Sequence, residues 1–285
     1  MGNQRSIVVI TNGNYFARLI LDRLFRERTE QVSGVILVDG DYTGHTGLRA
    51  LWQVGKRTTV PYTFYKVSLH LVFRLAQRLY PNVWFDVHAM ARTLRIPLLR
   101  VDKINSSEAF EWVCKHQPAL GISVSCPQRI RAKILNIPTQ GFLNIHSSLL
   151  PEYAGLAPYF WVLAENRTET GVTVHYMTEE FDAGNILVQR RLAIPPATSA
   201  FWLFRELALL GSDALMEAVD LALEGMPGTL QDCSRRSYRS HPTRAAYRSL
   251  RRNGFVIARF AELYRAVRKT VQQQMEATIP QVSSE

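Results

Sequence analysis

"SIVVITNGNYFARLILDRLFRERTEQVSGVILV" (6–38) decides the fold. Its first five residues form a short apolar, β-branched run with no polar alternation, the pattern of a strand buried on both faces. "TNGN" then breaks the run, residues 15–28 place apolar side chains at helical spacing, and "VSGVILV" (32–38) is a second buried strand. Strand, helix and strand at this spacing open a parallel α/β sheet. The turn "TNGNYF" is not GxGxxG, so a dinucleotide site is not supported.

The same grammar continues along the chain. A helix is expected over 105–118, a strand over 119–125, and a loop entering a helix over 126–135. "GFLNIH" (141–146) is the next strand, followed by a helix at 157–167 and strands at 171–177 and 185–194. A long helix over 198–225 is capped by Thr198 or Ser199 and stopped by Gly225. The expected class is α/β: an open, Rossmann-like, mostly parallel sheet with flanking helices, plus a short basic helical C-terminal extension. Apolar periodicity stops after Gly225, so we divide the chain into a main domain at 1–225 and a basic extension at 226–285.

Composition removes several classes. Hydrophobic residues make up 47% of the 285 and charged residues 20%, a globular balance. The three cysteines are odd in number and far apart, which excludes a disulfide framework and favours a reduced, cytoplasmic setting. Cys114 and His116 are near neighbours but lack the further ligands of a zinc site, so no metal is expected. The N-terminal apolar run is too short for a secretory signal, and Gly2 lacks the Ser or Thr of a myristoylation motif. No stretch of 18 uncharged apolar residues occurs.

Two segments stand apart. "YTFYKVSLHLVFRLAQRLY" (62–80) reads as a helix of about five turns, with Lys66, His70, Arg74 and Arg78 in one stripe and apolar or aromatic residues elsewhere. Either it packs on the sheet with one edge in water, or it is an interfacial helix that touches a membrane or a greasy acceptor. The formal net charge is +10, and residues 226–285 hold 11 Arg or Lys against 4 Asp or Glu. Such an extension suits nucleic acid, an anionic membrane surface or a phosphorylated substrate, or is simply a solvated helical face.

The chemistry is concentrated in "GFLNIHSSLLPEYAG" (141–155). Side chains alternate along a strand, so Phe142, Asn144 and His146 share one face, and Leu143 and Ile145 the other. That places an amide beside an imidazole near the carboxyl end of a parallel strand, where open α/β sheets bind ligands. The pair can donate to a developing oxyanion and exchange a proton, as acyl transfer requires. "YMTEEFDAGNIL" (176–187) supplies a carboxylate at Asp182, in a tight turn between two strands. Glu179 and Glu180 compete, although acids flanking a turn are usually solvated.

In order and with their intervening loop, these segments resemble the folate-dependent formyltransferases. That superfamily includes methionyl-tRNA formyltransferase, glycinamide ribonucleotide transformylase, sugar N-formyltransferases and formyltetrahydrofolate deformylase. The resemblance rests on Asn-x-His, Ser-Leu-Leu-Pro followed by Gly155, Gly-Val-Thr-Val-His and Asp-x-Gly; it covers 1–225 coarsely and 119–190 closely. It implies Asn144, His146 and Asp182 as the catalytic triad and 10-formyltetrahydrofolate as formyl donor. Asn144 would hold the oxyanion, His146 would relay a proton toward the leaving N10, and Asp182 would orient and charge-stabilise His146. The resemblance also implies cofactor contacts at Ser125, Cys126, Pro127, Ile130, Glu180 and Phe181, with Cys126-Pro127 departing from the family's usual Leu or Pro. Ser147, Leu150, Pro151, Tyr153 and Gly155 would form a substrate loop, and His175 is assigned to the core.

The implied acceptor is an amine on a small molecule or a carrier. An amino sugar, a specialised metabolite or a lipid-linked amine is favoured, because 226–285 does not read as the β-barrel of the tRNA-specific members. Initiator tRNA is the alternative. Hydrolysis of the donor is a further alternative, although the regulatory domain that precedes the core in deformylases is not expected here. A non-catalytic binding module is disfavoured because all three triad residues are present. The expected location is cytoplasmic, with a peripheral membrane position as its variant.

Overall fold

The computed structural model describes residues 6–39 and 58–276; the expectation at Gly2 lies outside them. The chain runs through β1 (Ile7–Thr11), α1 (Tyr15–Glu27), β2 (Val32–Val38), α2 (Val60–Leu79), α3 (Val87–Thr93), β3 (Leu98–Val101) and α4 (Ser107–His116). Then follow β4 (Leu120–Val124), α5 (Ala132–Leu135), β5 (Phe142–His146), β6 (Ala154–Gly155), α6 (Pro158–Ala164), β7 (Glu169–Tyr176) and β8 (Ile186–Ala193). Last come α7 (Ala200–Leu223), β9 (Tyr238–Arg239), α8 (Arg244–Arg252) and α9 (Phe260–Glu276).

The first strands and helices form where the sequence places them. Side chains of Asn14, Thr59, Ser106 and Ser199 accept backbone N–H bonds at the starts of α1, α2, α4 and α7. Each removes one of the donors a helix start leaves unpaired. The seven-stranded sheet has the order β3-β2-β1-β4-β5-β7-β8. Strands β1 to β5 pair in parallel, while β7 runs antiparallel to both β5 and β8. The mostly parallel α/β expectation therefore holds, with an antiparallel far edge.

Two cores sandwich the sheet. Along β1, Ile7 and Val9 enter the larger one with α1 and α7, while Val8 and Ile10 enter a smaller one with Val113 and Ile134. Burial on both faces explains why the strand carries no polar alternation. The chain order reverses between β1 and β4, so the crevice outside their carboxyl ends is the switch point of the sheet.

Residues after 225 return to this body. Ala246, Leu250, Phe255, Leu263 and Ala266 join the larger core. Strand β9 pairs in parallel with β6, and the Ser199 hydroxyl donates to Glu262 at 2.6 Å. Helix α2 buries Tyr62, Tyr65, Leu69, Phe73 and Ala76 in the same core. Its Phe73 ring stacks on Tyr15 at 3.8 Å.

Candidate active site

Register on β5 sets the first two groups. Phe142 packs into the smaller core and Leu143 into the larger, so Asn144 and His146 follow Phe142 onto one side at the carboxyl end of the strand. The antiparallel neighbour places His175 opposite Asn144 and Thr173 opposite His146. Asp182 arrives from the turn between β7 and β8, with φ at 52°. Its carboxylate Oδ1 lies 3.6 Å from His146 Nδ1 and 3.7 Å from His175 Nε2. Its Oδ2 accepts the Gly155 N–H at 2.7 Å. The three residues singled out in the sequence converge on one site.

Hydrogen bonding fixes the imidazoles. The His146 ring nitrogen Nε2 is 2.8 Å from the Tyr153 carbonyl, an acceptor, so Nε2 carries a proton. That leaves Nδ1, facing Asp182, as the atom where a proton can come and go. At 3.6 Å this contact is longer than a hydrogen bond; catalytic contacts commonly tighten only with substrate in place. His175 Nδ1 is 2.8 Å from the Tyr176 carbonyl and donates to it, so its Nε2 accepts from the Asn144 amide at 3.2 Å. Burial pushes the His175 pKa down to about 4, against the opposing pull of Asp182. A neutral His175 thus occupies one Asn144 N–H and leaves the other for a ligand.

Sequence reading assigned His175 to the core, and it is buried, but it also orients Asn144. The signal for that role was the antiparallel pairing of "GVTVHYM" with "GFLNIH", which spacing alone does not reveal. Contacts from the strap at 226–239 were missed altogether. Gln231 Nε2 donates to the carbonyls of Asp182 (3.0 Å) and Gly184 (2.7 Å). Arg236 donates to the Phe181 carbonyl at 2.7 Å and pairs with Glu180. The Tyr153 N–H donates to Ser237 Oγ at 2.9 Å. These bonds hold the acid turn and the loop after β5 in one frame.

The loop residues divide by direction. Leu150, Pro151 and Tyr153 are buried, Ser147 and Gly155 half-buried. The Tyr153 hydroxyl donates to Glu165 at 2.7 Å, so this part of the loop offers backbone rather than side chains. Gly155 has φ near +100°, and a side chain there would collide with the Arg239 carbonyl across the β6–β9 pair. Ser125, with φ at 54°, Cys126 and Pro127 are half-buried and Ile130 is buried, just beyond β4. Burial pushes the Cys126 thiol up to about 12, which keeps it protonated and unreactive. Glu180 and Phe181 are exposed on the facing turn. Arg129 joins the two segments, donating to the Glu179 carbonyl and lying 5.6 Å from the Phe181 ring.

A cavity of about 560 Å³ opens behind the loop, between residues 149–153 and 165–170, and none of the triad lines it. Its charges answer one another: Glu152 pairs with Arg167 and Arg235, and Glu169 with Arg191. The chemistry points to the mouth of β5, not to this cavity.

Residues 4–219 match the family model described as formyl transferase. The chain belongs to the formyl transferase family. It is 37% identical over 139 residues to methionyl-tRNA formyltransferase of Geobacter sulfurreducens, covering 49% of this chain and 44% of that one. The chain thus spans less than half the length of this curated relative. A sugar 3N-formyl transferase solved with dTDP and 5-N-formyl-THF superposes with a TM-score of 0.55 at 18% identity, over 84% of this chain and 70% of that one. Glycinamide ribonucleotide transformylase 1 of Symbiobacterium toebii gives 0.54 at 19%, over 79% and 90%. Both share the formyl transferase fold.

Proposed function

We propose that the protein transfers a formyl group from 10-formyltetrahydrofolate to the amine of an acceptor. The observation that carries this reading is the convergence of His146 and Asp182 beside an Asn144 amide with one N–H to spare. The amine must be neutral to attack the formyl carbon. As it attacks, charge develops on the formyl oxygen, and the free Asn144 N–H is placed to donate to it. His146 keeps its Nε2–H on the Tyr153 carbonyl, which leaves Nδ1, beside Asp182, to take up and release a proton. Its Nδ1 proton is the one available to the leaving N10, and Asp182 accepts the proton that the amine sheds. Removing this wiring should cost about a hundred- to ten-thousandfold in rate.

The donor's pterin end would sit between 125–130 and 179–181. The fit is chemical: half-buried backbone at Ser125 to Pro127, apolar Ile130 beneath, and an exposed Phe181 ring with Arg129 beside it. For the acceptor, we favour an amino sugar, a specialised metabolite or a lipid-linked amine, worked on by a cytoplasmic enzyme held peripherally at a membrane. Support for the lipid-linked case comes from α2, whose Val60, Phe64, Leu71, Leu75 and Leu79 are exposed. Methionyl-tRNA is the second reading, favoured by the 37% identity to a methionyl-tRNA formyltransferase and by the basic residues after 225.

Turnover of 10-formyltetrahydrofolate with and without candidate amines tests both the reaction and its class. Amine-dependent release is expected; amine-independent release would make the protein a hydrolase, and none a binding module. His146→Ala and Asp182→Asn should each lower turnover by about a hundred- to ten-thousandfold, and near-wild-type rates in both would refute the reading. Adding total tRNA to the same assay separates the two acceptors.

A further inference from the structure

Helix α2 is apolar on both sides. Its buried side is satisfied by the core, but Val60, Phe64, Leu71, Leu75 and Leu79 recur on the opposite side and are 57–78% exposed. Their spacing of four and seven residues puts them on one face. Single exposed apolar residues are ordinary, whereas five along one helix mark a contact surface. Arg74 and Arg78 are exposed on or beside this face, with exposed His70 at its margin. The whole helix carries no Asp or Glu.

We infer that this face of α2 docks the protein on an anionic lipid surface. Charge selects the occupant. An anionic bilayer offers phosphates to the arginines and acyl chains to Phe64 and the leucines, as interfacial helices require. A second copy of the chain, pairing face to face, would bring cation against cation with no carboxylate on the helix to answer it. A nucleic acid would answer the arginines but leave the aliphatic side chains in water. Among the described residues no helix is long and apolar enough to cross a membrane, so α2 lies on the surface rather than spanning it. Helix α9, packed beside α2, adds exposed Phe260, Tyr264 and Arg268 at successive four-residue steps.

The buried side of α2 is linked to the site through one helix. The Tyr62 hydroxyl is 2.9 Å from that of Tyr159, on the helix that follows Gly155, whose N–H holds Asp182. For a lipid-linked amine, docking would hold the protein at the surface that carries its acceptor, a consequence that rests on the function proposed above; the docking itself does not.

Co-sedimentation of the full chain with vesicles tests the inference. The protein should pellet with phosphatidylglycerol–phosphatidylcholine vesicles, at least about tenfold more weakly with phosphatidylcholine alone, and more weakly in high salt. Phe64→Glu combined with Leu71→Glu should lower binding by at least about tenfold without shifting the thermal melt, since neither side chain is buried. Equal pelleting of wild type and double variant would overturn the inference, as would no pelleting at all. A concentration-dependent dimer lost in the double variant would also overturn it, assigning the face to a second copy. Donor turnover on the same samples separates the two proposals: vesicle binding without turnover upholds docking and sinks the reaction, and turnover without binding does the reverse.

Discussion

His175 shows how one buried side chain can serve both geometry and stability. Its ring is 2% exposed, neutral, and held between the Tyr176 carbonyl and the Asn144 amide. Its pKa falls from 6.5 to about 4 on folding because burial disfavours the charged form more than Asp182 favours it. The unfolded chain therefore binds a proton between those values while the folded chain does not, so this contribution is intact above pH 6.5 and declines as pH falls toward 4. At full linkage the loss is about 3 kcal/mol, from about 1.4 kcal/mol per pKa unit. Denaturant melts at pH 7 and pH 5 should show wild type losing more stability on acidification than His175→Asn, which has no proton to gain; parallel losses would refute the assignment. The same variant should slow turnover, because an unanchored Asn144 no longer aims its free N–H.

At the scale of elements, the Asp182 turn is held from two directions. Gly155 of β6 binds its carboxylate, and Gln231 of the strap binds its backbone. Replacing Gln231 with Ala removes the second hold without touching any reacting atom. We expect kcat to fall between about tenfold and a hundredfold with KM for the donor nearly unchanged, as small misplacement of a catalytic group does. A proportional rise in KM with unchanged kcat would assign Gln231 to binding instead. This strap marks a limit of legibility. Strands β1, β2 and β4 were readable because burial on both faces leaves mostly apolar runs, and the Asn144–His146 pair of β5 was readable because alternation along one strand is local. His175 was not readable as a site residue, since its role depends on which strand lies opposite and in which direction. Gln231 and Ser237 act through backbone hydrogen bonds, which impose no period on the sequence. For α2, the sequence announced a helix with one basic stripe and apolar residues elsewhere, but which apolar residues face water follows only from its packing on Tyr15 and Tyr159.

Across the whole molecule, the change in sequence character after Gly225 is not matched by a loss of contact. Leu250 and Phe255 are buried in the larger core, and Asn253 donates to the carbonyls of Leu163 and Ala164 at the end of α6. Thr270 lies 3.4 Å from the Tyr15 hydroxyl. Fully burying a side chain such as Leu250 or Phe255 contributes about 1.5–3 kcal/mol. Losing several of them approaches the 5–15 kcal/mol that typically stabilises a domain. The loss would strip the cover from α1, α6 and α7 together, and would also free the Asp182 turn. A chain truncated after Gly225 should therefore be aggregated or loosely packed, with strong binding of a hydrophobic dye and no cooperative melt. Should that fragment instead melt cooperatively near the full-length temperature and retain donor turnover, 226–276 would be an appendage. The exposed Phe260, Tyr264 and Arg268 of α9 would then be separable from the site. The number of groups that the extension places in the core argues that it is not: a segment holding 11 of the 34 Lys and Arg residues also packs against the helices that frame the site.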